Sequence, residues 1–336
     1  MKTKKLRMVD VAREAGVTAG TISAILRGQR DRIFYSDETR DRVLAVVERM
    51  GYRVNSSARS LREGKSRSVG VLIDDITLPF LATLIRATGI SLQERGYSIL
   101  LCGVEGRAMT RETLLHLIHE NHLASFLLAG AMTQLSDHDL SEIAKAGYRL
   151  VLVERESPLA TIGAVRVDNA AGGRLAAEAL LKRRARRFLI LAGPSGNPMA
   201  RQRTIGAEAA LREAGIAQAD IRIMEAGGWT PELGYAAMRD HLGGNWQPDA
   251  VVAGNDLLAI GALRAIRERG LSIPEEIAVV GFDDISLAAF TQPPLTTIRQ
   301  PAERMGQAAA ELLLDLESTI ALPRLFAPEL VSRQSA

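Results

Sequence analysis

His116, His119 and His122 recur at three-residue spacing near the end of a helix-like stretch, which permits a metal site. No cysteine or acid constellation partners them, so a solvated or packed histidine row is the simpler reading. Gly193-Pro194-Ser195-Gly196 follows an apolar strand-like run and has the backbone freedom to hold an anion. It lacks the lysine of a phosphate loop, however, and reads as a loop lining a cleft. Lys182-Arg183-Arg184-Ala185-Arg186-Arg187 has the composition of a nucleic-acid patch, but also sits at a helix C-terminus, where the helix dipole favours cations. No dinucleotide-binding glycine fingerprint, no Walker loop and no Gly-x-Ser-x-Gly elbow is present. Catalytic residues, metal ligands and cofactors are therefore not expected, and the protein reads as a non-enzyme.

The elements that position these residues begin with charge. Residues 1–68 hold 16 Lys/Arg against 8 Asp/Glu, whereas the remaining 268 hold 26 against 31. A small basic head on a mildly acidic body is the pattern of a nucleic-acid reader joined to something else. Within the head, Val11, Ala12 and Ala15 share one face of a short helix, and Gly16-Val17 breaks it. Gly16 can take the left-handed conformation that ends a helix, and Val17 can plug the gap between two crossing helices. Thr18 is suited to cap a second helix, 19–27, that turns Ile22, Ile25 and Leu26 inward. Ser36 is suited to cap a third, with Val43, Val46, Val47 and Met50 at helical spacing and Gly51 as its stop. Ala12, Gly16 and Ile22 supply the small residue, the turn and the wedge that a helix-turn-helix needs.

From Ser68 onward, apolar strands alternate with amphipathic helices. The first half offers 69–73, 98–102, 125–129 and 150–153; the second offers 165–167, 188–192, 250–253 and 277–281. Such runs, separated by helices, indicate parallel sheets buried on both faces, here in two blocks. Ligands of such folds bind at the carboxyl ends of the strands. No apolar run reaches the length of a membrane span, and Cys102 is the only cysteine. No signal segment follows the basic N-terminus, so a cytoplasmic protein without membrane attachment is expected.

The sequence Val9-Asp10-Val11-Ala12 … Ala15-Gly16-Val17-Thr18 … Thr21-Ile22-Ser23 resembles the lac/galactose repressor family, as do Met50-Gly51-Tyr52 and Ala58-Arg59-Ser60-Leu61. The likeness continues through Val167-Asp168-Asn169, Arg201-Gln202-Arg203, Asn255-Asp256, Val280-Gly281-Phe282-Asp283-Asp284 and Thr296-Thr297-Ile298. It implies an N-terminal all-α helix-turn-helix head on an α/β body of two Rossmann-like lobes of the periplasmic-binding-protein type. The implied divisions are a DNA-binding domain at 1–53, a hinge helix and linker at 54–67, and an effector-binding and dimerisation domain at 68–336. Lobe 1 would comprise about 68–166 and 299–326, and lobe 2 about 167–298 and 327–336.

The resemblance also implies roles. Thr18, Ala19, Gly20, Thr21, Ser23 and Arg27 would face double-stranded operator DNA in the major groove, and Asn55, Ala58 and Leu61 the minor groove. Leu61 would be the wedge that parts a central base step, with a linker leucine packed on the body as the plainer alternative. Ala24 stands where many relatives carry a base-reading arginine, so a guanine contact is expected to be lost. The connection 28–35 is longer than usual, and its Arg30 and Arg32 are equally readable as phosphate ligands or solvated charges. The implied effector site is Leu78, Phe80, Glu154, Arg155, Arg203, Trp229, Asn255, Asp283 and Gln300. Arginine, asparagine and aspartate supply the donors and acceptors that vicinal hydroxyls need, although Arg203 and Asp283 can equally pair with each other.

The expected protein is thus a homodimeric transcriptional regulator, a repressor whose operator affinity responds to a small molecule, a sugar or sugar acid, bound between its lobes. The chain ends at Ala336, soon after the strand-like Pro328-Glu329-Leu330-Val331, and no heptad tail for tetramers is expected. A purine or another metabolite as effector remains the alternative, and a solute-binding protein without DNA affinity the more distant one. Against the latter stand the basic head and the lack of a signal segment. An α/β enzyme with a DNA-binding head would need a nucleophile, metal or phosphate loop in the cleft.

Overall fold

The computed structural model describes residues 6–27, 33–52, 66–73, 75–103, 110–130, 135–315 and 323–336. It divides into two units, Met1–Ser66 and Arg67–Ala336.

In the first unit, α1 (Met8–Ala15), α2 (Ala19–Arg27) and α3 (Asp37–Arg49) surround a core in which Val11, Ile22 and Val43 are fully buried. Gly16 has φ 68°, and the amides of Gly16 and Val17 return to the carbonyls of Arg13 and Ala12 at 3.3 and 3.0 Å. This closes the end of α1 and reverses the chain. Thr18 Oγ1 accepts from the Thr21 amide at 3.1 Å and Ser36 Oγ from the Thr39 amide at 3.2 Å, so both expected caps form. Asp37 and Glu38 occupy the first turn of α3, where the helix dipole favours anions.

The second unit contains two six-stranded sheets. The first is built from β1 (Ser68–Ile73), β2 (Ser98–Gly103), β3 (Ser125–Ala129), β4 (Arg149–Val153), β5 (Gly163–Val167) and β11 (Arg324–Phe326), in the order β11-β5-β4-β3-β1-β2. Its helices are α4 (Pro79–Glu94), α5 (Arg111–Asn121), α6 (Asp137–Lys145) and α11 (Ala302–Leu314). The second is built from β6 (Phe188–Ala192), β7 (Ile221–Glu225), β8 (Ala250–Ala253), β9 (Ala278–Asp283), β10 (Thr296–Arg299) and β12 (Glu329–Val331), in the order β12-β10-β9-β8-β6-β7. Its helices are α7 (Asn169–Leu181), α8 (Pro198–Glu213), α9 (Pro231–Leu242) and α10 (Asp256–Glu268). All pairings are parallel except β10 with β12. Every residue of β3, β6 and β8 is buried, which is why these runs are apolar throughout rather than alternating.

The chain passes from the first sheet to the second after Val167, returns after Arg299, and passes again after Phe326. Two of these connections lie side by side, the Asp168 amide donating to the Phe326 carbonyl at 3.0 Å. Four strands depart from the sequence expectation. Residues 165–167, grouped above with the second half, extend to Gly163 and pair with β4 and β11 in the first sheet. β7, β10 and β11 were not expected; they are an edge strand with the pattern Ile-Arg-Ile-Met-Glu, largely exposed, the four-residue Thr-Thr-Ile-Arg, and a three-residue strand. None offers a buried apolar run to read. Among the described residues, no helix is long and apolar enough to cross a membrane.

Helices α7 and α8 cross in backbone contact. A Cβ on Gly173 would collide with the Arg203 carbonyl, and one on Gly206 with the Ala170 carbonyl. This crossing fixes the distance between the first turn of α7 and the first two turns of α8, where site residues lie.

Candidate functional site

A cavity of about 180 Å³ opens where the carboxyl ends of the two sheets face each other. Leu78 and Phe80, at the start of α4, and Glu154, just past β4, come from the first sheet's side. Arg203 on α8, Trp229 before α9, Asn255 at the N-cap of α10, and Asp283 at the end of β9 come from the other. Gln300 follows β10 on the connection between them. The structure therefore brings together eight of the nine residues expected to bind the effector.

Arg155 is the exception. With Glu154 in the left-handed region (φ 62°), the chain turns after β4 and Arg155 points away from the cavity. Its guanidinium donates to the Leu135 carbonyl at 2.8 Å and to Asp137 Oδ1 at 2.7 Å, lining a separate crevice with Glu156 and Arg201. Asp75, Asn197 and Met199 line the cavity without having been expected there. Asn197 gave a readable signal, as an Asx residue before Pro198, where its side chain caps α8 by accepting from the Met199 and Ala200 amides. The loop Gly193–Gly196 backs the site rather than lining it, since the Trp229 ring fills the space where a Gly193 Cβ would stand.

A line of polar bonds crosses the site. The Glu154 carboxylate accepts from the Val167 amide at 3.2 Å and from Asn169 Nδ2 at 3.3 Å. Asn169 Oδ1 accepts from Arg203 Nε at 2.7 Å. Arg203 Nη1 donates to the Gly254 carbonyl at 2.7 Å and lies 3.5 Å from Asp283 Oδ1, which accepts from Gln300 Nε2 at 2.7 Å. The guanidinium stacks on Phe282, 3.7 Å from its ring centroid. Asp283 holds φ 116°, a conformation that L side chains rarely adopt and that costs about 1–3 kcal/mol. Asn255 Oδ1 caps α10 by accepting from the Leu258 amide at 2.8 Å. Gln300 Oε1 is buried and accepts from no described residue.

Burial pushes both carboxyls upward. Asp283 rises to about 6, against the opposing pull of Arg203 and Gln300, and Glu154 is also raised by burial against Arg203. The folded protein therefore holds a proton on Asp283 that the unfolded chain has released between about pH 4 and about pH 6. Across that window this residue's contribution to stability falls as pH rises, and it is level above it.

In the head, Thr18 and Gly20 are exposed, and Ala19, Thr21 and Ser23 are half-buried along α2. Thr18 and Thr21 share a hydroxyl–hydroxyl hydrogen bond of 2.9 Å. Ala24 is 5% exposed and packs within the head's core. The side chain of Arg27, the residues 28–32, and Asn55, Ala58 and Leu61 lie outside the described residues. Thr18→Ala removes the acceptor that caps α2 and is expected to cost about 1 kcal/mol of head stability, measured by thermal unfolding. Among the described residues, no three His, Cys, Asp or Glu side chains are placed to hold a metal ion, and His116 Nε2 lies 3.2 Å from Glu120.

Residues 7–55 match the family described as bacterial regulatory proteins, lacI family, and residues 161–336 the periplasmic binding protein-like domain. The ribose operon repressor of Escherichia coli (strain K12) is 32% identical over 336 residues, covering 98% of this chain and 99% of that one. The HTH-type transcriptional repressor PurR of Proteus mirabilis (strain HI4320) is 33% identical over 310 residues, 91% of this chain and 89% of that one. The solved lac repressor dimer bound to operator and the anti-inducer ONPF superposes with a TM-score of 0.86 at 27% identity, covering 99% of both chains. The chain belongs to the lacI family of bacterial regulatory proteins.

Proposed function

We propose that this protein is a homodimeric, sequence-specific repressor whose affinity for operator DNA is set by a small sugar-like effector in the cleft. One observation carries the effector reading: Arg203, Asn255, Asp283 and Gln300 converge on one partly closed cavity with Trp229 and Phe80 beside them. Donors and acceptors on one side and apolar faces on the other suit a polyhydroxylated ring, and such sites are largely preformed. The ribose operon repressor among its relatives and the operator-bound lac repressor dimer support the same reading. The proposal includes no catalytic step and no cofactor, and it places the protein in the cytoplasm, with the DNA.

In this reading residues 1–53 form the DNA-binding domain, 54–67 the hinge, and 68–336 the effector and dimerisation domain. Thr18, Thr21, Ser23 and Arg27 bond phosphates or base edges, and Leu61 enters the minor groove between paired hinges. Leu287 and Phe290, 56% and 85% exposed on the short turn after Asp284, supply apolar surface for the second subunit. The effector acts through its differential affinity for the DNA-bound and released states.

Thermal-shift measurements with D-ribose, other monosaccharides, sugar acids and nucleobases test the proposal. A ligand at a hundredfold its Kd stabilises by about 2.7 kcal/mol, and the best stabiliser is then added to an operator titration. A stabiliser that leaves operator affinity untouched contradicts it. Effector hydroxyls that donate to Asp283 require the carboxylate, so affinity is expected to fall below about pH 6, tending to about tenfold per unit. Calorimetric titrations at pH 5, 6 and 7.5 check this.

A further inference from the structure

Asp256 does not line the cavity, yet it joins α10, β9 and β10, the elements next to Asn255, Asp283 and Gln300. It is the first residue of α10 and is fully buried. Its Oδ2 accepts from the Ile285 amide at 2.8 Å, and its Oδ1 from Thr297 Oγ1 at 2.5 Å. The backbone of β9 passes so close that a Cβ on Gly281 would collide with Oδ1. Gly281 and Thr297 are also register partners across β9 and β10.

Three site residues leave from these contacts. Asn255 precedes Asp256 directly. Asp283 and Asp284, both with positive φ (116° and 55°), fill the two positions before Ile285. Gln300 lies three residues after Thr297. A carboxyl buried this deeply is costly, and burial drives its pKa well upward. Packing alone gives no reason to keep one here. A single acceptor group reaching both the amide beyond the strained pair and the hydroxyl on the next strand gives such a reason.

We infer that Asp256 is a positioning residue for effector recognition, fixing Asn255, Asp283 and Gln300 relative to one another through Ile285 and Thr297. The inference rests on the effector reading above. Asp256 acts as an acceptor of fixed geometry rather than as a charge. An Asp256→Asn side chain meets the same demands: its amide oxygen accepts from Ile285, and its NH2 donates to the Thr297 hydroxyl, which can accept. Asp256→Ala and Thr297→Val cannot reproduce that bridge.

The test titrates the full-length protein and these three variants with D-ribose, and with the best stabiliser of the panel where that differs. Operator binding by the unliganded protein serves as the control for a folded dimer. Asp256→Asn is expected to bind within about threefold of the parent, and Asp256→Ala and Thr297→Val about tenfold or more weaker, ~1.4 kcal/mol. Should Asp256→Ala fail to fold, Thr297→Val decides. Parent-like sugar affinity in Thr297→Val overturns the inference, as does an Asp256→Asn variant as defective as Asp256→Ala. Failure of the effector reading looks different: the parent binds no compound of the panel, and this inference falls with it.

Discussion

Arg203→Ala is expected to lose effector binding by at least about a hundredfold and to lower the stability of the body by about 3–5 kcal/mol. The size follows from what the guanidinium leaves behind. Its removal strips two buried acceptors, Asn169 Oδ1 and the Gly254 carbonyl, of donors at 2.7 Å each, at about 1–3 kcal/mol apiece. It also removes the cation that holds the Asp283 carboxyl down, so the carboxyl rises further and is more readily protonated. Protonation relieves part of the cost but removes the acceptor that a sugar hydroxyl needs. Arg203→Lys keeps the charge but not the planar fork, and it cannot serve Asn169, Gly254 and the Phe282 face together. It is expected to recover some stability and little affinity. Urea unfolding and calorimetric titration separate the two effects; parent-like affinity in either variant removes Arg203 from the site.

Gly206→Ala is expected to damage both stability and effector response through one added methyl. The new Cβ meets the Ala170 carbonyl, a backbone atom that no rotamer change can move, so α7 and α8 must separate. Overpacking costs about 1–3 kcal/mol and sometimes more, and a backbone obstacle places this change at the upper end. Arg203 lies one turn before Gly206 on α8, and Asn169 is the neighbour of Ala170 on α7. The same displacement therefore stretches the 2.7 Å bond between Arg203 and Asn169. Gly196→Ala is the comparison: nothing lies within 4 Å of its added Cβ, and its effect is expected to stay within about 0.5 kcal/mol. Equal melting temperatures for the two variants contradict the account of this helix crossing.

The contrast between these glycines shows where sequence reading stops. Gly196 stands in a readable loop and Gly206 in a helix, but only the three-dimensional crossing shows that a methyl at Gly206 meets backbone while one at Gly196 meets nothing. What was legible is local. Gly16 as a helix end and Thr18 and Ser36 as caps depend on residues within four positions, and each forms as expected. The buried strands β3, β6 and β8 were legible because burial on both faces leaves an unbroken apolar run. β7 was not, because an edge strand satisfies the sheet with one paired side and tolerates Arg222 and Glu225.

The cleft was legible only through resemblance to a family, since its members come from loops far apart in the chain. Eight of the side chains that route named line one cavity, and Arg155 lines a neighbouring crevice, where the positive φ of Glu154 turns the chain. It assigned nothing to Asn169 or Asp256. Their contacts reach 34 positions along the chain, from Asn169 to Arg203, and 29 and 41, from Asp256 to Ile285 and Thr297. A polar residue satisfied at that range looks, in one sequence, like any helix cap.

The central claim couples the cleft to the head, and the most direct measurement is operator affinity with and without ligand. Genomic fragments are selected on the purified protein, and the retained sequence is titrated by fluorescence anisotropy at several salt concentrations. The panel's best stabiliser is then added at saturation. The account predicts sequence-selective binding that weakens steeply with salt, as release of counterions from phosphates requires, and a ligand-dependent change of about tenfold or more. Binding to no fragment above the level of random DNA, in the presence or absence of every compound tried, contradicts it.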